Sequence, residues 1–207
     1  MKKLVVALGL LLTLSLCVLA QGKSDDKNEL SLWGGYSPDS TEAIKAFGRV
    51  PDARFGMVAF RYARRLKDGD NIKIRWTIDG IPAAFLSYPD SELSGTPPTL
   101  HPVRETRYAW GLTPFGAQFS FRNKKKYQPF VDISAGFLFF RHLTPNFGGT
   151  KMNFTPNVGG GLEIERDNGT SFTVGYKFFH ISNANRGTSN PGFQNNLIYV
   201  RYKFRSW

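Results

Sequence analysis

The feature that most limits how this chain can fold is an alternation of apolar and polar residues. In the segment NIKIRWTID, residues 71–79, apolar residues occupy every second position and polar or charged residues lie between them. A period of two places successive side chains on opposite faces of a β-strand. Helical periodicity is weak throughout, and TEAIKAFG, residues 41–48, predicts at most a short surface turn of helix. The chain is therefore predicted to be all-β.

The alternation predicts eight strands. A proline at position 114 interrupts the fourth, which predicts a bulge or bend because proline cannot donate to a strand ladder. The predicted ranges are 29–36, 54–64, 71–79, 106–122, 128–141, 154–166, 170–182 and 194–204.

The first twenty residues have the pattern of a secretory signal peptide. Lys2 and Lys3 precede an apolar run that ends in Val-Leu-Ala before a polar stretch. The run is short for a membrane-spanning helix, and no stop-transfer pattern follows it. We therefore predict that residues 1–20 are removed on export and that residues 21–207 form one domain.

The cysteine count and the net charge limit the class of fold and the kinds of partner that the chain can have. Cys17 is the chain's one cysteine and lies inside the predicted signal peptide, so a disulfide framework is excluded. Leu16 is too bulky for the position before a lipoprotein cysteine. The formal charge of +11 falls to +9 when Lys2 and Lys3 are removed. A basic protein can bind nucleic acid or an anionic membrane surface. Because the chain is predicted to be exported, we expect the membrane as its partner and not nucleic acid.

The connections between predicted strands alternate in length. Those after strands two, four and six are short and polar, around KDGD, NKKKYQ and RDNG. Those after strands one, three, five and seven are longer, and the predicted loop 80–105 is the longest. Short periplasmic turns and long external loops are typical of outer-membrane barrels. We therefore predict an eight-stranded antiparallel transmembrane β-barrel in the bacterial outer membrane.

A soluble periplasmic barrel that carries an apolar ligand would show the same alternation with its apolar residues inside. Charged residues on the second strand face favour the membrane barrel, because the interior of eight strands is just wide enough for side chains to fill. These charged residues are Lys73, Arg75, Lys177, Arg201 and Lys203. The soluble alternative stays open, and fractionation without detergent would support it.

A histidine and a serine lie where the seventh predicted strand gives way to a loop, in HISNAN, residues 180–185. His180 and Ser182 continue the apolar phase of that strand. If this phase faces lipid, both side chains point outward near the extracellular rim, with Gln194 on the same face of the next strand. Two such side chains and a third across the hairpin can act as nucleophile, base and orienting group.

HISNA, followed by NPG ten residues after the histidine, resembles the active-site hairpin of the PagL-type lipid A 3-O-deacylases. The specific resemblance covers residues 171–204. It implies an outer-membrane barrel that removes an ester-linked acyl chain from lipid A without metal or cofactor. It also implies that His180 is the general base and Ser182 the nucleophile. Asn183, which completes the motif, and Asn190 are both expected near the oxyanion.

Gln194 departs from the family pattern, because the corresponding residue in the family is a glutamate. An amide can orient a histidine but supplies no negative charge, and the same change in a serine protease lowers turnover about 10⁴-fold. Glu163 and Glu165 fall in the lumen phase, so no outward carboxylate replaces it. Two hypotheses follow: an acyl ester hydrolase acting on lipid A or another acylated membrane lipid, and a non-catalytic small barrel of the same lineage. Whether the barrel forms a homodimer is left open.

Other candidate sites are weaker. His101 and His142 have no Cys, Asp or Glu partners at metal-ligand spacing and are expected to be surface histidines. Arg141, Lys151 and Arg186 lie near the predicted outer rim, where they either contact lipid A phosphates or remain solvated.

Overall fold

The structure is a computed structural model that describes residues 26–40, 48–145 and 147–207, with only the backbone of Leu93. The predicted signal peptide, Cys17 and residues 41–47 of the predicted helical turn lie outside the described residues. No helix in the described part of the chain is long and apolar enough to cross a membrane.

Antiparallel strands account for most of the described chain. Two of them, β6 and β7, both pair with β5 and are separated only by Thr155 and Pro156, so they form one interrupted strand. The strands are β1 (Asn28–Ser37), β2 (Arg54–Asp68), β3 (Ile72–Ser94), β4 (Thr99–Phe121), β5 (Tyr127–Thr144), β6 (Thr150–Phe154), β7 (Asn157–Glu165), β8 (Ser171–Ile181) and β9 (Phe193–Ser206).

The sheet closes on itself into a ring of eight positions. The strands follow the order β4-β3-β2-β1-β9-β8-β7-β5, and β4 pairs in turn with β5. Closure removes the unpaired edges that hydrocarbon cannot solvate. The predicted all-β, eight-stranded antiparallel architecture is confirmed. The predicted irregularity at Pro114 is also present, as a register shift between Leu112 and Phe115 in the β4–β5 pair.

The prediction of a long loop at residues 80–105 is wrong. β3 continues to Ser94 and β4 begins at Thr99, so only a four-residue turn joins them. The pairing of β3 with β2 ends at Ser87, and that of β4 with β5 ends at Ala109. Beyond these points the two strands pair only with each other, as a ribbon with exposed edges. Edge strands tolerate the prolines that made this segment resemble a loop.

The apolar phase of the strands points outward. On β8, Val174 and Tyr176 are 47% and 45% exposed, whereas Lys177 is 1% exposed. The same holds on β9, where Val200 is half exposed and Arg201 is buried. A soluble barrel with an apolar ligand requires the opposite arrangement, whereas an apolar outer belt is what a bilayer requires.

Ion pairs fill the periplasmic half of the interior. Arg61 donates to Asp79 at 2.7 Å and to Asp132 at 3.3 Å, and Lys177 also binds Asp132. The sequence correctly places Glu163 in the lumen, where it accepts from Arg75 at 2.9 Å. Pairing is essential here, because a buried charge without a partner costs several kcal/mol.

The extracellular half of the interior is mainly apolar. Phe179 and Ile181 point inward from β8 on either side of His180, and Phe193 points inward from β9. The Phe179 ring stacks on Phe55 with centroids 5.1 Å apart. Because these inward side chains are locked in a packed core, they fix the outward side chains between them.

Candidate active site

His180 occupies the last outward position of β8. Its backbone N–H donates to the carbonyl of Pro156 at 3.1 Å, and its side chain is largely buried. Two residues later Ser182 pairs with Phe154 through two backbone hydrogen bonds of 2.7 and 3.1 Å. His180 and Ser182 therefore straddle the Thr155-Pro156 interruption, and β8 keeps its extended course past the end of β7.

An apolar groove of about 560 Å³ lies beside His180 on the outer face of the barrel. Small side chains at Ala117 and Ala135 make it concave between larger neighbours. Its apolar walls are formed by Trp76, Phe115, Ile133, Val158 and Phe178. In the lipid-facing belt such a groove accepts a hydrocarbon chain.

Gln194 lies directly opposite His180 in the antiparallel β8–β9 register and is fully buried. Its backbone N–H donates to the Ser40 hydroxyl at 3.0 Å, and its side-chain Nε2 donates to the carbonyl of Gly48. A carbonyl oxygen only accepts, so this bond identifies the amide nitrogen and leaves Oε1 as the acceptor of the side chain.

The backbone conformation at position 48 requires glycine. Its φ is +70°, and a Cβ at this position would lie 2.0 Å from the carbonyl oxygen of Pro191. Only glycine allows this backbone to approach Pro191 while presenting its own carbonyl to Gln194. The residues just before β2 thus cover the start of β9 and hold the Gln194 side chain.

The two asparagines predicted near the oxyanion hold the loop after Ser182. The N–H of Asn183 donates to Asn190 Oδ1 at 3.0 Å, and Asn183 Nδ2 donates to the Ser189 carbonyl at 2.8 Å. Asn190 Nδ2 donates to Asn185 Oδ1 at 2.9 Å. The amide donors of both side chains are engaged within the loop.

A tight turn follows Asn183. Arg186 N–H donates back to the Asn183 carbonyl at 3.2 Å across Ala184 and Asn185, whose φ angles are 54° and 58°. Two consecutive positive φ values correspond to a type I′ turn, whose central positions are usually Gly, Asn or Asp, so Ala184 is the unusual residue. Backbone strain at a non-glycine residue is concentrated at functional sites.

The structure therefore brings His180 and Gln194 together across one strand pair, with Ser182 at the adjoining loop. Sequence reasoning missed Ser40 and Gly48, which hold Gln194. They are distant in the chain and belong to no motif, so only closure of the ring through β1 and β9 reveals them. Within the described ranges, no cluster of three or more His, Cys, Asp or Glu side chains could hold a metal ion.

Comparison with known proteins gives the family. A family model described as Lipid A 3-O-deacylase (PagL) matches residues 56–203, more than half of the chain and including all five candidate residues. Among solved structures, the outer membrane enzyme PagL matches with a TM-score of 0.53 and 13% identity, covering 84% of this chain and 97% of that chain. The beta domain of the Bordetella autotransporter Brka matches with a TM-score of 0.37 and 10% identity, covering 86% and 99%. No curated protein matches. The chain belongs to the PagL family of lipid A 3-O-deacylases, outer-membrane β-barrel ester hydrolases.

Proposed function

We propose that this protein hydrolyses the ester that joins an acyl chain to position 3 of lipid A. The observation that carries the proposal is the position of His180, which lines an outward apolar groove two residues before Ser182. A lipid substrate reaches such a site by lateral diffusion in the membrane, and its acyl chain lies in the groove.

Serine and histidine divide the chemistry. Ser182 Oγ attacks the ester carbonyl carbon while His180 accepts the hydroxyl proton. Collapse of the tetrahedral intermediate breaks the bond between the carbonyl carbon and the sugar oxygen, and His180 returns the proton to that oxygen. A water molecule, deprotonated by His180, then attacks the acyl-serine, and a fatty acid and Ser182 are released.

Gln194 orients the base. With Nε2 bound to Gly48, Oε1 is the acceptor atom of the side chain and can accept a ring N–H of His180. The amide supplies orientation without the negative charge that stabilises an imidazolium, so turnover is expected to be slower than with a carboxylate.

Asn183 and Asn190 stabilise the oxyanion in this proposal. Their amide donors hold the loop in the described structure, so at least one exchanges its bond within the loop for a bond to the substrate. Preorganised donors of this kind contribute strongly to acyl transfer.

An alkyl fluorophosphonate tests the nucleophile. The detergent-purified barrel should gain one phosphonyl adduct, which peptide mass spectrometry should place on Ser182. Folded Ser182→Ala should gain none, and His180→Ala should react far more slowly. An adduct formed equally by Ser182→Ala would show that another residue reacts.

The second candidate function is a non-catalytic outer-membrane barrel of the same lineage. The observation that favours it is Gln194 itself, together with the absence of any Asp or Glu from residues 168–207. Labelling that fails in the native chain and appears in Gln194→Glu would support this reading, because it would show a site that the amide has silenced.

We also propose that residues 1–20 are a cleaved signal peptide and that 21–207 form the mature barrel. The apolar run after Lys2 and Lys3 supports this. N-terminal sequencing of barrel purified from outer membranes should begin near Gln21, and a sequence beginning at Met1 would contradict it.

A further inference from the structure

One side of the extracellular rim carries cations without any neighbouring carboxylate. Arg141, Lys151 and Arg186, here called the basic rim, lie at the extracellular ends of β5 and β6 and in the loop after β8. Residues 133–162 and 168–207 contain no Asp or Glu. All three side chains are exposed.

Two other cations of the extracellular half have acidic partners. Arg49 lies 3.4 Å from Asp39, and Arg107 lies 3.1 Å from Glu105. Among the described residues no carboxylate lies within ion-pair distance of any member of the basic rim. The basic rim is thus a group of cations without acidic partners, and one of them, Arg186, lies in the loop that follows Ser182.

Arg186 is held in place without being neutralised. Its Nε donates to the Asn183 carbonyl at 3.1 Å, its Nη2 donates to the Met152 carbonyl at 2.7 Å, and its guanidinium lies 4.7 Å from the Phe154 ring centroid. Phe154 is also the backbone partner of Ser182. The fixed guanidinium is therefore a neighbour of the proposed nucleophile.

The chemistry of this arrangement fits a phosphate. The two bonds use two of the five guanidinium N–H groups and leave three for a ligand. A planar guanidinium binds phosphate oxygens in a bidentate manner, and a side chain that is already ordered loses little entropy on binding. The groove accounts for the acyl chain of the substrate but offers no group that recognises a charged sugar headgroup.

We propose that Arg186, supported by Arg141 and Lys151, binds a phosphate on the sugar headgroup of the substrate and so places the neighbouring acyl ester at Ser182. This inference rests on the proposed function and makes the protein selective for phosphorylated glycolipids over neutral acyl esters.

Binding measurements test this subsite without requiring hydrolysis. Ser182→Ala barrel in detergent micelles is titrated with lipid A and with the same lipid A after enzymatic removal of its phosphates. Adding Arg186→Gln should weaken binding of phosphorylated lipid A about tenfold and leave binding of the dephosphorylated lipid unchanged. Arg186→Lys should restore part of the loss. Arg54→Gln, which removes an exposed cation at the start of β2, is the matched control and should change neither affinity.

Three outcomes overturn the inference. Equal weakening for both lipids would assign Arg186 a role only in holding the loop, and no weakening would remove it from the site. Inorganic phosphate that displaces phosphorylated lipid A at equal concentration would indicate a site for a small anion. Phosphate-dependent binding by a barrel that hydrolyses nothing would contradict the proposed function but would support the phosphate subsite.

Discussion

His180 and Gln194 face each other across the β8–β9 pair, and both are buried although lower positions in the same outward phase are exposed. Ile198, two outward positions below Gln194, is 64% exposed. Gly48, which binds the Gln194 side chain, accounts for part of this covering. This buried pair is the histidine and the amide that the proposed mechanism uses as general base and orienting group.

Gln194→Glu should raise turnover at least tenfold, because a carboxylate orients the imidazole and stabilises its charged form. The same change should lower the free energy of unfolding by about 1–3 kcal/mol, since the donor to the Gly48 carbonyl is lost. Deacylation rates and urea unfolding of the two proteins measure these effects. Gln194→Met, which can neither accept nor donate in this way, should lose activity, and full activity in this variant would contradict a role for residue 194.

A large side chain placed in the groove should raise the KM for long-chain esters more than the KM for short-chain esters. Ala135→Trp places a large side chain in the groove beside His180 and should raise the KM for long-chain esters about tenfold, since each excluded CH₂ costs about 0.8 kcal/mol. The KM for a butyryl ester should hardly change. Ala83→Trp is the control, because Ala83 lines a similar outward groove that does not contain His180. An equal effect of both variants would contradict the assignment of the groove.

Asp132→Ala should destabilise the barrel by about 3–5 kcal/mol, because it removes the shared carboxylate of two buried cations, Arg61 and Lys177. Urea unfolding in detergent measures the loss. The control is Asp70→Asn in the β2–β3 turn, where the hydrogen bond from Lys124 lowers the pKa of Asp70 but both side chains are exposed. Solvent screens that pair, so this variant should unfold like the native chain. Similar stability of the Asp132 variant would show that the interior is hydrated and loosely packed.

The barrel should not conduct ions. Ion pairs such as Arg61 with Asp79 fill the periplasmic half of the interior, and packed side chains such as Phe55 and Phe179 fill the extracellular half. Planar bilayer recordings should therefore show no steps above background at 100 mV. Regular conductance steps from pure protein would mean that the interior opens.

The periodicity of two was sufficient to predict the ring but not the full length of each strand. Residues such as Ile72 and Trp76 alternate because one strand face contacts lipid and the other a polar lumen, which is the situation that a sequence pattern reports most directly. Beyond the membrane both faces of β3 and β4 contact water, so the pattern fades. Pro89 on β3 and Pro102 on β4 lie close together in this exposed ribbon. These prolines made the sequence of the two strands resemble a loop.

The candidate residues were predictable because they lie on one hairpin. His180, Ser182 and Gln194 are related by strand phase and by the short distance along the chain, both of which a sequence displays. The contact from Gly48 depends on closure of the ring, and the free guanidinium face of Arg186 depends on the carbonyls that happen to hold it. Neither has a local signature, because both arise from segments that meet only in the folded barrel.

Mass spectrometry of lipid A after incubation with the detergent-purified barrel is the most direct test of the proposed deacylation. We expect the loss of one ester-linked acyl chain from position 3 with the native protein and no change with Ser182→Ala. An unchanged lipid A mass after prolonged incubation with native protein, shown to be folded by its heat-modifiable migration, would contradict it.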